Sequence, residues 1–417
     1  MLDERIIDKL IERLVVRLEE GNVYVLEQIG KTIKKIGTLN EISARKLENI
    51  LKYGGNFDKI IAKLADITNL NVNEIYEIFE EIAKSDYAFA KRFYDYRGIK
   101  YIPYEENIAL QRQVKALARI TANEYVNFSN TLAFSRKVNG KTIYTSLSRT
   151  YQRAIDEALL SVAQGKETFD SQMSKVIKEL SNSGIRVVDY NTGYSKRLDS
   201  AVRMNLKGAL MNLHNEIQAE IGKEFGADGV EISVHLNPAP DHAEVQGRQF
   251  SKEEFEKFQN DKDCYDYTGK FFAKEHEGHD RRSISQLNCY HYTFDVVLGV
   301  SEPQYNDEEL QEIIDSNNKG FEFDGEHYTN YEGTQLQRQI ETAIRKQKDI
   351  QIMAKASYNG AKAEEQPKIR QTIEESQKKI TQLSKKYKQL SEISGLPTKA
   401  QRLSVSGYKR VNVANMK

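Results

Sequence analysis

Apolar side chains recur every three or four residues through both ends of this sequence, the spacing that places them on one face of an α-helix. Near the N-terminus the repeat is carried by Ile6, Leu10, Leu14 and Leu18. From Ile369 to Leu390 the apolar positions keep a heptad-like spacing, as in helices that pack along a seam. The pattern predicts helices at both ends, and near the C-terminus a helical hairpin or a coiled coil with another chain.

The middle of the chain mixes helix and strand signals. Asn139-Gly140, between polar and β-branched residues, is typical of a tight hairpin turn. A long helix is predicted from about Ser195 to Phe225, and Val230–His235 alternates as a strand does. Off the apolar face of the long helix, we expect surface side chains at Arg197, Arg203, Lys207 and His214. The predicted fold class is mainly α with a small α+β middle unit.

Length and composition predict several segments in a soluble protein. With 417 residues, 39% apolar and 29% charged, the chain exceeds one ordinary core. No apolar run has the length of a membrane span, and the N-terminus does not resemble a signal peptide, so we expect a cytoplasmic product with no membrane contact. The predicted segments are a helical N-terminal domain (1–135), a helical connector with a short hairpin (136–194), an α+β domain (195–305), an acidic linker (306–332) and a basic helical arm (333–417).

A net charge of zero conceals a strong asymmetry along the chain. From Thr342 to Lys417 there are 17 Lys and Arg against 6 Asp and Glu, a balance of +11. Such a basic arm suits a DNA backbone or an acidic protein surface, although a charged helix can also be simply solvated. The cations that we expect to contact DNA or a partner are Lys378, Lys379, Lys385, Lys386, Lys388, Arg402, Lys409 and Arg410.

Residues 235–291 concentrate the chemistry of the chain. Five of its seven histidines and both of its cysteines lie there. Imidazole and thiolate are ligands that zinc prefers, and four of them in a tetrahedron make a closed structural site. The candidate ligands are His235, His242, Cys289 and His291. The alternative is a buried, hydrogen-bonded polar cluster without a metal. Zinc is the one cofactor that the sequence suggests.

The order of motifs in this region resembles the phage minor capsid protein 2 family, which is similar to the Mu F-like head-morphogenesis proteins. The resemblance is carried by a strand-end His235, the Pro-containing loop Asn237–His242, Gln246-Gly247 and Asn288–His291. The tail from Tyr331 onward is also similar, so that residues of about 195–410 are covered. The sequence departs from the motif at three places: Val245 replaces a tryptophan, Tyr290 replaces an arginine, and Leu298–Ser301 lacks the preceding proline.

The resemblance implies a structural virion protein rather than an enzyme. Such a protein would lie near the portal vertex of a tailed-phage head after assembly in the bacterial cytoplasm. Its expected partners are the portal and other head proteins, double-stranded DNA at the basic arm, and further copies of itself through the C-terminal helices. The alternative is a virion-carried metal-dependent hydrolase that uses the same His and Cys residues with one open coordination position. Four protein ligands without an open position would favour the structural role.

Overall fold

The computed structural model describes residues 4–37, 54–138, 141–147, 149–150, 153, 180, 185–188, 195–259, 284, 289, 291–358, 366–405 and 408–411. Most of these residues are helical, and the strands among them form three small antiparallel sheets. The predicted fold class, mainly α with a small α+β middle unit, is therefore confirmed. None of the described helices combines the length and the apolar character needed to cross a bilayer.

The helices and strands are numbered in chain order. The helices are α1 Glu4–Gly37, α2 Gly54–Arg97, α3 Ile108–Asn130, α4 Leu198–Phe225, α5 Pro240–Ala243, α6 Lys252–Gln259, α7 Asp307–Lys319, α8 Asn330–Tyr358, α9 Gln366–Ser394 and α10 Ala400–Leu403. The strands are β1 Leu132–Val138, β2 Lys141–Ser146, β3 Arg186–Val188, β4 Ser195–Arg197, β5 Gly229–Ile232, β6 Gln249–Ser251, β7 Thr293–Val296, β8 Phe321–Phe323 and β9 Glu326–Tyr328.

The chain forms two compact units, each assembled from three separate segments. The first unit comprises Met1–Arg13, Val72–Glu124 and Val202–Gln335. The second unit comprises Leu14–Asn71, Tyr125–Ala201 and Leu336–Lys417. In both units, residues that are distant in the sequence therefore pack together.

In the first unit, other helices cover the polar side of α4 as well as its apolar face. Lys207 is only 6% exposed and its ammonium lies 3.5 Å from Asp8 of α1. Arg203 donates hydrogen bonds to Glu12, one turn further along α1. His214 is fully buried. The expectation that Lys207 and His214 lie on the helix surface was wrong, because other helices of the unit pack against that side and supply carboxylate partners.

The α+β part of the first unit is a three-stranded sheet in the order β6-β5-β7. Strand β5 pairs antiparallel with both neighbours, with Val230 opposite Phe250 and Ile232 opposite Thr293. Gly222 lets α4 approach this sheet closely, because a Cβ at that position would overlap the carboxylate of Asp295 on β7. The strand predicted at Val230–His235 is confirmed in its first half, since β5 spans Gly229–Ile232, but residues 233–235 are not part of a strand.

Residues 306–332, which composition marks as an acidic linker, contain a helix and a hairpin. Asn306 caps α7 in a capping box, in which its side chain accepts the Glu309 N–H at 2.9 Å while the Glu309 carboxylate accepts the Asn306 N–H. Strands β8 and β9 follow as an antiparallel pair. Many of the acids lie on the exposed side of the helix and in its first turn, where carboxylates favour a helix N-terminus.

In the second unit, β1 and β2 form the hairpin that the sequence predicts. They pair from Ala133 opposite Ser146 to Val138 opposite Lys141. The turn residues 139 and 140 lie outside the described residues. The sheet continues in the order β2-β1-β3-β4.

Helices α8 and α9 form an antiparallel hairpin in the second unit. Gln337 donates to the Ser391 hydroxyl at 2.9 Å, the Tyr387 hydroxyl donates to Glu341 at 2.9 Å, and Arg370 lies 3.4 Å from the Tyr358 hydroxyl. The partners on α9 move toward its N-terminus as those on α8 move toward its C-terminus, which defines the antiparallel direction. The apolar stripe beginning at Ile369 is therefore engaged within the chain. Its ends are buried at Ile369, Ile373, Tyr387 and Leu390.

Four charged side chains form a buried network against the second half of α8. Arg197 donates to Asp349 at 2.9 Å and faces Asp199 at 3.4 Å, while Arg345 bonds to the other oxygen of Asp199. Their side chains are between 1% and 12% exposed. Burial raises the pKa of Asp349, and Arg197 opposes that shift. The two arginines and two aspartates neutralise one another, so removal of one member leaves a buried charge without its partner.

We predict that Arg197→Leu lowers the free energy of unfolding by about 3–5 kcal/mol, because Asp349 would remain buried without its cation. The control is Arg248→Leu, which removes a 2.7 Å pair with Asp307 whose side chains are 44% and 83% exposed. That variant should lose at most about 1 kcal/mol. Urea unfolding followed by circular dichroism measures the free energy of unfolding of both variants. Equal losses would show that the buried network contributes no more to stability than an exposed ion pair.

Candidate functional site

The structure brings together three of the four side chains predicted as metal ligands. The Cys289 sulfur lies 3.3 Å from Nδ1 of His242 and 3.3 Å from Nδ1 of His291. One ligand atom from each residue lies within 4.8 Å of those of the other two. His242 is 1% exposed, Cys289 is 5% exposed and His291 is 3% exposed. We call these three residues the His/Cys cluster.

A short helix directs His242 into the cluster. Helix α5 begins after Ala239 with Pro240 at its first turn, where the ring's fixed φ suits a helix and the missing N–H costs nothing. The His242 carbonyl accepts the N–H groups of Val245 and Gln246 at 3.2 and 3.1 Å, which continues the turn. Nε2 of His242 lies 3.4 Å from the Asp241 carboxylate, so its Nδ1 is the nitrogen that faces the sulfur.

Cys289 and His291 come from the chain that leads into β7. This chain is held beside the end of β5, because Ser233 donates its N–H to the Tyr292 carbonyl and its hydroxyl accepts the Tyr292 N–H. The His291 N–H points to the Cys289 sulfur at 3.4 Å. A backbone donor of this kind favours a thiolate. The cluster therefore lies at one end of the sheet, between the chain after β5 and the chain before β7.

Gln246 orients His291. Its side-chain Oε1 accepts the backbone N–H of His235 at 2.9 Å and lies 3.0 Å from Nε2 of His291. Because a backbone N–H can only donate, Oε1 rather than the amide nitrogen must face this point, and Nε2 of His291 must carry the proton. Gln246 is 1% exposed. In the sequence Gln246 stands out only as part of a motif, and its place four residues after His242 was the available signal for this role.

His235 lies beside the cluster without belonging to it. Its ring meets the ring of His291 edge to face, with centroids 4.4 Å apart. Its nitrogen atoms are not among the ligand atoms that group together. The side chain is half-buried, so its position is more open than that of the other three.

Gly247 allows helix α7 to cover this region. Its φ is +70°, a conformation that side chains disfavour, and a Cβ there would lie 2.8 Å from Val234 and overlap Leu310 of α7. The same unit contains a small apolar cluster of Ile232, Val245 and Ile284, with Phe250 and Phe255 packed against it. Val245, at the position where the motif has tryptophan, is thus part of this core.

A third buried histidine among the described residues lies outside the predicted site. Nδ1 of His214 on α4 is 2.6 Å from the Asp86 carboxylate on α2, and the two residues are 0% and 2% exposed. The His214 ring meets Tyr292 edge to face at 4.9 Å. Sequence reasoning missed this pair because the partners are 128 residues apart. The pair joins two helices in the first unit.

The predicted contact cations divide into exposed and half-buried groups. Lys378, Lys379, Lys385, Lys388, Lys409 and Arg410 are exposed, whereas Lys386 and Arg402 are half-buried. We call Lys378, Lys379, Lys385 and Lys388, all on α9, the lysine face. Lys378 and Lys385 lie opposite the stripe that packs on α8, and Lys379 and Lys388 lie to either side of it.

The end of the predicted basic arm packs within the second unit. Val405 joins Val23 and Ile352 in an apolar cluster, with Tyr408 against it. The ammonium of Lys348 lies 4.9 Å above the Tyr408 ring and donates to the Leu403 carbonyl. Burial lowers the pKa of Lys348. Residues 400–405 and 408–411 are thus anchored by apolar side chains interspersed among the cations.

Comparison with known protein families identifies the family of this chain. A model of the family described as phage minor capsid protein 2 matches residues 2–390. The chain belongs to the phage minor capsid protein 2 family. The predicted resemblance is confirmed; the match extends to the N-terminal helices and ends at residue 390, before the predicted bound of about 410. Neither the curated proteins nor the solved structures contain a significant match. Family membership indicates a structural role in the phage virion, with other head proteins as partners.

We predict that Gly247→Ala destabilises the first unit by about 1–3 kcal/mol more than Gly299→Ala, because only the former adds an overpacked contact. Gly299 is the matched control, since its φ is +73° and a Cβ there would meet nothing within 4 Å. Both variants carry the cost of a positive φ. Thermal unfolding of the two proteins gives the difference, and equal midpoints would mean that Leu310 moves aside freely.

Proposed function

We propose that this minor capsid protein is located at the portal vertex of the phage head and contacts the packaged DNA through its lysine face. Membership of the family supports the virion and the head proteins as partners. The observation that carries the DNA contact is the exposure of four lysines on one helix whose apolar side is occupied by α8.

The lysine face is suited to contacts with DNA phosphates rather than to sequence-specific contacts with bases. Lys378 to Lys388 spans ten residues, or about 15 Å of helix. The four side chains are exposed, and Glu392 is an acidic neighbour, 3.5 Å from Lys388. Phosphate contacts by lysine release counterions and carry no sequence information. The expected binding is therefore independent of sequence and sensitive to salt.

The alternative partner for the lysine face is an acidic protein surface, such as one on the portal. The apolar stripe of α9 does not favour self-association, because it packs on α8 within the chain. The His/Cys cluster does not favour a hydrolase, since residues with at most 5% exposure leave a substrate no access. These observations support a structural role.

We predict that the full-length protein binds unrelated DNA duplexes at low salt, and that a variant with Lys378, Lys379, Lys385 and Lys388 changed to Gln binds more weakly. The slope of log K against log salt should become shallower by up to about 0.9 for each phosphate that the variant no longer neutralises. Fluorescence anisotropy at several salt concentrations measures both the affinity and the slope.

The matched control changes four exposed lysines elsewhere, namely Lys9, Lys63, Lys100 and Lys115, to Gln. This variant has the same net charge as the first and should keep most of the salt slope. If both variants bind equally weakly, binding reflects net charge and the lysine face has no specific role. If the unaltered protein does not bind at low salt, the DNA contact is wrong and the acidic protein partner replaces it.

The portal location has its own test. Gold-labelled antibody against the protein should mark intact or gently opened phage heads at one vertex, in few copies per particle. A label distributed over the whole shell would contradict the portal location and leave only the virion assignment.

A further inference from the structure

The geometry points to a structural zinc site formed by His242, Cys289 and His291, which joins the chain after β5 to the chain before β7. This inference goes beyond the proposed role in the head, because it concerns how the α+β part of the first unit is held together. It does not depend on DNA or portal binding. Two imidazoles and one thiolate match the ligand preference of zinc rather than that of calcium or magnesium.

The distances from the Cys289 sulfur to the two histidines fit a shared ion. Zinc binds nitrogen at about 2.0 Å and sulfur at about 2.3 Å, so neighbouring ligand atoms of a tetrahedral ion lie about 3.5 Å apart. The Cys289 sulfur lies 3.3 Å from each of the two Nδ1 atoms. Both histidines therefore present a nitrogen at the correct separation from the sulfur.

One hydrogen bond and one carboxylate contact favour the tautomers that a metal requires. The Gln246 carbonyl oxygen accepts Nε2–H of His291, and the Asp241 carboxylate faces Nε2 of His242 at 3.4 Å. Each Nδ1 is then left with a lone pair that points toward Cys289. Metal-binding histidines characteristically donate their other ring N–H to a carboxylate or carbonyl in this way.

A cluster without a metal satisfies these groups less well. A thiol has one proton and can donate it to one nitrogen only. The second Nδ1 lone pair would then face the sulfur with no hydrogen between them. A cation accepts both lone pairs and the thiolate together, and the His291 N–H, 3.4 Å from the sulfur, further favours the thiolate.

The burial of the cluster favours a structural ion over a catalytic one. Its members are 1%, 5% and 3% exposed. The fourth position would be filled, after a small movement, by His235, whose ring lies against that of His291. Because the ligands come from the chain after β5 and from the chain before β7, the ion would cross-link segments 47 residues apart.

The first experiment measures zinc in the full-length protein purified without chelators from cells supplied with zinc. We expect about one zinc ion per chain. Replacement by cobalt should give a thiolate-to-cobalt charge-transfer band and the intense visible bands of tetrahedral coordination. Removal of the ion should lower the thermal unfolding midpoint. Protein that contains no zinc, takes up no cobalt and keeps its midpoint with chelator would overturn the site and leave a hydrogen-bonded polar cluster.

Two variant pairs identify the ligands. Cys289→Ser should remove the charge-transfer band, whereas Cys264→Ser, which changes the other cysteine, should keep it. His291→Ala should lose zinc, whereas His327→Ala, an exposed histidine of the same unit, should retain it. A cobalt spectrum unchanged in Cys289→Ser would contradict the assignment. The measurements on the unaltered protein remain decisive if a ligand variant does not fold.

The orienting role of Gln246 gives a finer test. Gln246→Ala removes the acceptor for His291 and should weaken zinc binding by about 10- to 100-fold. Gln246→Glu keeps an acceptor oxygen and should restore the affinity. Competition with a chromophoric chelator measures both constants. Equal affinity in the Ala and Glu variants would show that Gln246 does not orient a ligand.

Discussion

The chemistry of the first unit depends on the orientation of one side-chain amide. The Gln246 oxygen must face the His235 backbone N–H, because the amide nitrogen in its place would be a second donor. The same oxygen then accepts Nε2–H of His291 and turns Nδ1 toward Cys289. Gly247, the next residue, provides the positive φ and the space that let α7 cover this part of the unit. Two adjacent residues thus determine both the tautomer and the packing of the site.

Local sequence patterns were sufficient to predict the long elements of the fold. The helix expected from about Ser195 to Phe225 is α4, Leu198–Phe225, and the C-terminal apolar stripe forms the seam of an antiparallel hairpin. Heptad spacing alone did not decide between a hairpin within the chain and a coiled coil between chains. The polar contacts between α8 and α9 decide it, because they depend on the tertiary position of both helices.

The site could be predicted in part. The concentration of His and Cys residues in 235–291 led to the His/Cys cluster, since ligand chemistry is visible in residue type. It also included His235, whose ring lies beside His291 rather than among the ligand atoms. The His214–Asp86 pair and the burial of Lys207 were not predictable from periodicity, because helices distant in the sequence supply their partners.

The cations of the basic region divide into those that hold the fold together and those that a partner can reach. Some of its cations are structural: Arg345 belongs to the buried network, and Lys348 packs on Tyr408. The lysine face remains available because α9 directs its apolar side to α8. A net charge of +11 therefore overstates the number of cations that a phosphate backbone or an acidic surface can reach.

The central claim is that the buried His/Cys cluster is a metal cross-link in a structural virion protein. X-ray absorption at the zinc edge tests it most directly, because it reports the atoms bound to the ion. We predict one sulfur neighbour at about 2.3 Å and nitrogen or oxygen neighbours at about 2.0 Å, with the outer-shell scattering of imidazole rings. A spectrum with oxygen neighbours only, and no sulfur or imidazole contribution, would contradict the account.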